Sequence, residues 1–165
     1  MTQRESFLWI VERYYGAPYL WAGDDEHGID CSGLVREGLR RVGAIPWSLD
    51  LSADGFLAHF SEQRVAEADL APGCLVFYLT GTRPARAVHV GIVWRNPDLI
   101  LEAGGGSSAL DEPTPDELPA GVTAAEFIEE RARRANAFVG LGPWRRRRGP
   151  YAFVDPFAAP REVPA

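Results

Sequence analysis

Cys31 stands inside "GIDCSGLVREGLRRVG" (residues 28–43), at the start of what residue spacing predicts as a helix, in a 165-residue chain with two cysteines. A thiol there has a chemical use. The unpaired N–H groups and the dipole of a helix N-terminus favour an anionic sulfur. The same N–H groups can stabilise the oxyanion formed when a thiolate attacks a carbonyl. Gly33 takes bulk away from beside the sulfur. A second reading stays open, because most free cysteines are small buried hydrophobes.

A thiol nucleophile needs a base. His89 lies in "AVHVGIVW" (87–94), whose alternation predicts a strand with Ala87, His89, Gly91 and Val93 on one face and Val88, Val90, Ile92 and Trp94 on the other. Ala87 and Gly91 are small, so this face offers a helix close approach, and Gly33 and Gly38 thin the Cys31 helix to match. A histidine so placed can meet a helix-borne thiol; the alternative is a core histidine bonded to a backbone carbonyl. Glu102 is the candidate orienting group. Pairing Arg95 with Asp98 across the turn sets Gly91 opposite Glu102, which then lies on His89's face and diagonal to it. A carboxylate there can hold the tautomer of the imidazole. A three-residue loop would instead turn Glu102 away, leaving an exposed carboxylate at the strand end.

These groups need elements to hold them. Residues 2–15 read as a helix with Phe7, Leu8, Val11, Tyr14 and Tyr15 on one side, then "APYLWAG" reads as extended and "DDEHG" (24–28) as a polar loop. The Cys31 helix spans 31–42, with Leu34, Val35, Leu39 and Val42 sharing a face with Gly38, and Arg36, Glu37, Arg40 and Arg41 opposite. Asp30 suits its N-cap and Gly43 its stop. A short helix covers 52–61, "CLVFYL" (74–79) reads as a buried strand, and "LILEA" (99–103) closes a hairpin with 87–94. A Gly-, acid- and Pro-rich loop (104–121), a helix (123–135) and a last strand from "FVGLGPW" follow. Helices first and antiparallel strands after define an α+β domain. Its expected bounds are 1–144, with 145–165 as an Arg- and Pro-rich tail packed on it or extending from it.

Composition narrows the partners. Hydrophobic residues make up 46% and charged residues 24%, as in ordinary globular proteins. A net charge of −6 argues against nucleic acid or an anionic membrane surface, and no stretch approaches the roughly 20 apolar residues of a span. Two cysteines make no disulfide framework. The apolar run Phe7–Val11 ends at Glu12, too short for a signal peptide, so the expectation is a cytoplasmic protein or one delivered by a phage or specialised secretion route. His27 and Cys31 have metal-like spacing, but no second His/Cys pair completes a zinc set, so neither metal nor cofactor is expected. Gly104–Gly106 lacks the Gly-Lys-Ser/Thr of a phosphate cradle, and Arg145–Arg148 reads as a solvated run or one paired with the acidic loop.

"YYGAPYLWAG…GIDCSGLV", "APGCLVFY", "AVHVGIV" and "LILEAGGG" resemble, in order, the signatures of the NlpC/P60 family of cell-wall cysteine peptidases, over about residues 14–104. The resemblance implies a papain-like core with N-terminal helices packed on a central antiparallel sheet. It implies hydrolysis of amide bonds in peptidoglycan stem peptides or muropeptides, typically the γ-D-glutamyl bond to a diamino acid. Cys31 is then nucleophile, His89 base and Glu102 the third member, a position often held by His in the family. Tyr19 matches the family's active-site tyrosine, and Asp30 and Ser32 match residues near the substrate's free amine. Cys74 stands where the family usually has Asp, and Ala22 where it often has Gly. Related papain-like folds run amidase or acyl-transfer chemistry with the same three residues. A different class is a non-catalytic binding module of a phage or secretion system.

Overall fold

In the computed structural model, which describes residues 1–17, 24–25, 28–104, 113–127, 130 and 139–160, the chain opens with a reciprocally capped helix. The Thr2 hydroxyl accepts the Glu5 N–H while the Glu5 carboxylate takes the Thr2 N–H. This helix, α1 (Gln3–Glu12), buries Phe7, Leu8 and Val11. Strands β1 (Asp24–Asp25) and β2 (Gly28–Ile29) then pair antiparallel, where a polar loop was expected.

Helix α2 (Cys31–Arg41) runs through the middle of the domain. It packs against α1 at Gly38, where a Cβ would come within 2.5 Å of the Phe7 and Val11 side chains. The thin place at Gly38 therefore serves α1, and not a contact with the sheet. Every residue from Gly33 to Leu39 is buried, including Arg36 and Glu37 on the face expected to meet water. After Gly43, whose φ of +72° suits a helix stop, the chain folds back across that polar face. Asp50 pairs with Arg36 there, and the Arg40 guanidinium donates to the Leu49 carbonyl at 3.4 Å. Glu37 accepts from Arg41 at 2.5 Å and faces Arg40 at 3.9 Å. Helix α3 (Ala53–His59), capped by Ser52, follows.

The remaining strands are β3 (Arg64–Val65), β4 (Leu75–Leu79), β5 (Ala87–Val93), β6 (Leu99–Ala103), β7 (Val139–Pro143) and β8 (Tyr151–Val154). They form one antiparallel six-stranded sheet in the order β3-β8-β4-β5-β6-β7. One face, with Leu75, Phe77, Val90, Ile92 and Leu101, joins the helices in the main core. The other carries Val76, Tyr78, Val93 and Ile100, packed with Trp144 under Leu70, Ala71, Tyr151 and Phe153. The architecture is the expected α+β one, helices against an antiparallel sheet.

One expectation changes at the end of the chain. The stretch set apart as a tail from residue 145 supplies β8, which lies inside the sheet between β3 and β4, with Ala152 and Val154 at most 2% exposed. Of the helix expected over 123–135, residues 124–127 and 130 are helical and the others after Thr123 lie outside the described residues. Among the described residues, no helix is long and apolar enough to cross a membrane.

Candidate active site

Asp30 prepares the helix end that carries the thiol. Its carboxylate accepts the Gly33 N–H at 2.6 Å, its carbonyl takes the Leu34 N–H, and the Ser32 hydroxyl reaches the same carboxylate at 3.3 Å. The N–H groups of Cys31 and Ser32 precede these in the first turn, where an anionic sulfur or a developing oxyanion would face them. Cys31 itself is half-buried.

The strand bearing His89 does not follow simple alternation. Tyr78 pairs with His89 but Leu79 pairs with Ala87, so Val88 is extruded as a bulge and is 57% exposed. Ala87 thereby crosses to the helix side with Val90 and Ile92. His89 keeps the opposite face with Gly91 and Val93, its ring 5.4 Å from that of Tyr78. Gly91 is small for its own sheet, since a Cβ there would lie 2.5 Å from Ile100 Cδ1. The expected close approach of helix to a thinned sheet face is thus not how the groups meet.

They meet where two strands part. β5 and β6 share only the pairs Ile92–Leu101 and Val93–Ile100. Beyond these, β5 stays with β4 as far as Ala87, and β6 stays with β7 as far as Ala103. Helix α2 packs on both strands, and its first residue, Cys31, lies near enough to His89 for the thiol to raise the ring's titration. Across the gap, His89 Nε2 lies 2.5 Å from Glu102 Oε2, which leaves Nδ1 as the ring nitrogen for the sulfur. The pairing of Ile92 with Leu101 is the register that the sequence assigned from Arg95 and Asp98, and it sets Glu102 on His89's face.

Charge around this relay is arranged in a chain. Burial opposes the imidazolium of His89, but hydrogen bonding with Cys31 and Glu102 outweighs it, so His89 titrates above its ordinary value. Burial likewise opposes the Glu102 carboxylate. The bond from His89 and the charges of His89, Arg147 and Arg146 prevail and hold it below the usual carboxylate range. Arg147 Nε stands 3.7 Å from Glu102 Oε2, and its guanidinium lies over the Tyr78 ring at 5.8 Å. Tyr78 is locked by a 2.7 Å bond from its hydroxyl to the Trp144 carbonyl.

Of the residues singled out in the sequence, the fold brings Cys31, Asp30, Ser32, His89 and Glu102 together; Tyr19 lies outside the described residues. Sequence reasoning missed Tyr78, Arg146 and Arg147. For the two arginines the signal was the run beside Trp144, which reads as solvated or paired with the acidic loop until β8 is placed; Tyr78 reads only as part of the buried run 74–79. Cys74 has no part in the relay: it is fully buried, and burial pushes its thiol up. An imidazole held between a thiol and a carboxylate can take the thiol proton and later return it to a leaving group.

Several known proteins are similar to this chain. The chain is 35% identical over 82 residues to the bifunctional muramidase/DL-endopeptidase CwlT of Bacillus subtilis (strain 168), a match covering 48% of this chain and 23% of CwlT. It is 30% identical over 90 residues to the probable endopeptidase NlpC of Escherichia coli (strain K12), covering 54% of this chain and 55% of NlpC. The crystal structure of the NlpC/p60 domain of peptidoglycan hydrolase SagA superposes with a TM-score of 0.55 at 18% identity, over 90% of this chain and 96% of that domain, a likeness of fold. The NlpC/P60 family profile matches residues 16–119. That match covers more than half of the chain and takes in each element that bears thiol, imidazole and carboxylate, and on it the chain belongs to the NlpC/P60 family.

Proposed function

We propose that the protein is a cysteine peptidase that cleaves amide bonds in peptidoglycan stem peptides, with the γ-D-glutamyl bond to a diamino acid as its target. The observation that carries the reading is the imidazole of His89 bonded through Nε2 to the Glu102 carboxylate, with Cys31 near enough to raise its titration. Family membership and the names of the relatives, a DL-endopeptidase and an endopeptidase, support the substrate class.

In this reading His89 Nδ1 takes the proton of Cys31, and the sulfur attacks the carbonyl carbon of the scissile amide. The oxyanion faces the first-turn N–H groups of α2. As the C–N bond breaks, His89 protonates the leaving amine, and the acyl group remains on sulfur as a thioester. Water then gives a proton to His89 and attacks the thioester; the carboxylate product leaves and the thiol is restored. Glu102 holds the tautomer and stabilises the imidazolium. Tyr19, Asp30 and Ser32 are assigned to substrate binding.

The test is mass spectrometry of purified stem peptides incubated with the protein, with Cys31→Ala as control. Loss of the γ-D-glutamyl–diamino acid bond with the wild type only is the expected result. No cleavage, with Cys31 alkylated faster than in denatured protein, would move the chemistry to other amides. No cleavage and a slow thiol would sink the enzyme reading in favour of a binding module.

A further inference from the structure

A cavity of about 350 Å³ opens beside Glu102, on the side formed by β7. Tyr15, Gly16, Glu102, Gly104, Gly140 and Arg146 contribute to its walls. Two glycines shape it. Gly140 pairs with Glu102 across β6 and β7, and a Cβ there would meet nothing within 4 Å, so the space above it is free. At Gly142 the Arg146 guanidinium rests on bare backbone, in the space a Cβ would take. The cation is thus seated at the cavity by the strand beneath it.

Its neighbours are otherwise engaged. Arg145 pairs with Glu67 at 2.8 Å and with Asp98 at 3.4 Å, and Arg147 stands 3.7 Å from Glu102. Among the described residues, Arg146 has no carboxylate within ion-pair distance, and the one carboxylate on the cavity wall, Glu102, is held by His89 and Arg147. A cation left over at the wall of a cavity that adjoins a reactive centre is placed for an anion brought from outside, and a planar guanidinium suits a carboxylate.

We propose that this cavity is a substrate subsite in which Arg146 binds a free carboxylate of the peptide, over a floor that Gly140 keeps open. The proposal rests on the peptide substrate proposed above and adds to it a required negative group next to the reacting bond. The neutral end of the cavity, at Tyr15 and Gly16, is left for the apolar or amide portion of the same peptide.

Binding separates this idea from the reaction itself. A tripeptide stem fragment with free carboxylates, and the same peptide with each carboxyl singly converted to the amide, are titrated calorimetrically into Cys31→Ala protein. One of the amides is expected to bind about tenfold more weakly than the parent. Adding Arg146→Gln should weaken the parent by a similar factor and leave that amide unchanged, the signature of a coupled pair. Gly140→Val should fold with an unchanged or higher Tm, since the strand gains a β-branched residue, and should weaken every peptide in the series. Equal binding of parent and all amides, discrimination that survives Arg146→Gln, or no binding of any peptide would each overturn the subsite. Should the discrimination appear while the wild type cuts none of these peptides, the reaction proposed above fails and the carboxylate subsite stands.

Discussion

The imidazole of His89 is charged more readily than its burial alone would allow, and its two partners are the cause. A histidine whose folded value is raised contributes stability that is complete below its unfolded value, near ~6.5, and is lost as pH rises through the folded one. Glu102 runs the other way. Its lowered value contributes stability above the ordinary carboxylate range and loses it as pH falls through the lowered value. Both groups are charged only between those limits, so Glu102→Gln should cost most there, on the order of 1–3 kcal/mol, and less in strong acid or alkali. Denaturant unfolding at three pH values measures this, and the His89 ring protons should titrate at lower pH in the variant. An unmoved titration would uncouple the pair. Arg147 touches Glu102 and not the reacting atoms, so it is a positioning residue. With Arg147→Ala the acid limb of activity should move upward by a fraction of a pH unit, the charge being half exposed to solvent. KM should stay as it is, and Arg147→Lys should restore part of the limb; a change in KM alone would assign Arg147 to substrate instead.

At the scale of elements, α2 carries two separable duties. Asp30 caps it and adjoins Ser32 and the sulfur, so Asp30→Ala should cost about 1 kcal/mol of stability, while Asp30→Ser should recover most of that. Activity that stays low in the serine variant would mark a duty toward substrate beyond the cap. Gly38→Ala should cost about 1–3 kcal/mol by overpacking against Phe7 and Val11, read from thermal or denaturant unfolding. The parts of this region that were legible in the sequence are those fixed by local chemistry. Asp30 and Gly43 announce a helix start and stop, and "RNPD" sets a turn whose register carries Glu102 to His89. The parts that were not legible depend on distant chain. The bulge at Val88 arises because β4 offers one residue fewer than β5 past Tyr78, and nothing inside "AVHVGIV" records that deficit. Arg36 and Glu37 look like a solvated face, but both are buried: the segment reaching Asp50 supplies a partner to Arg36, and Arg40 and Arg41 of the same helix meet Glu37. Strand β8, "YAFV", is too short to show a period, and the arginines and prolines around it mask an apolar pair that only β4 explains.

For the molecule as a whole, the two ends of the described chain are tied to each other. Arg4 donates to Asp155 at 2.7 Å and to the Pro72 carbonyl at 2.9 Å, and the rings of Phe157 and Phe7 pack tilted to each other with centroids 5.3 Å apart. β8 carries this tie into the sheet, where its loss would leave β3 without a partner and bare the edge of β4 that faces away from β5. Protein ending at residue 150 should therefore show no cooperative thermal transition, although every group of the relay is still encoded; a sharp transition would mean that β4–β7 fold alone. The order of the strands also fixes an order in time. A ribosome releases Cys31, His89 and Glu102 well before Tyr151–Val154, and at roughly 5–20 residues per second the delay is several seconds. Nascent chains stalled at residue 150 should alkylate at Cys31 no faster than denatured protein, while released chains react faster. A reactive thiol whose sheet is completed by β8 should stay dormant for as long as it is being made, with translation itself keeping it from acting early.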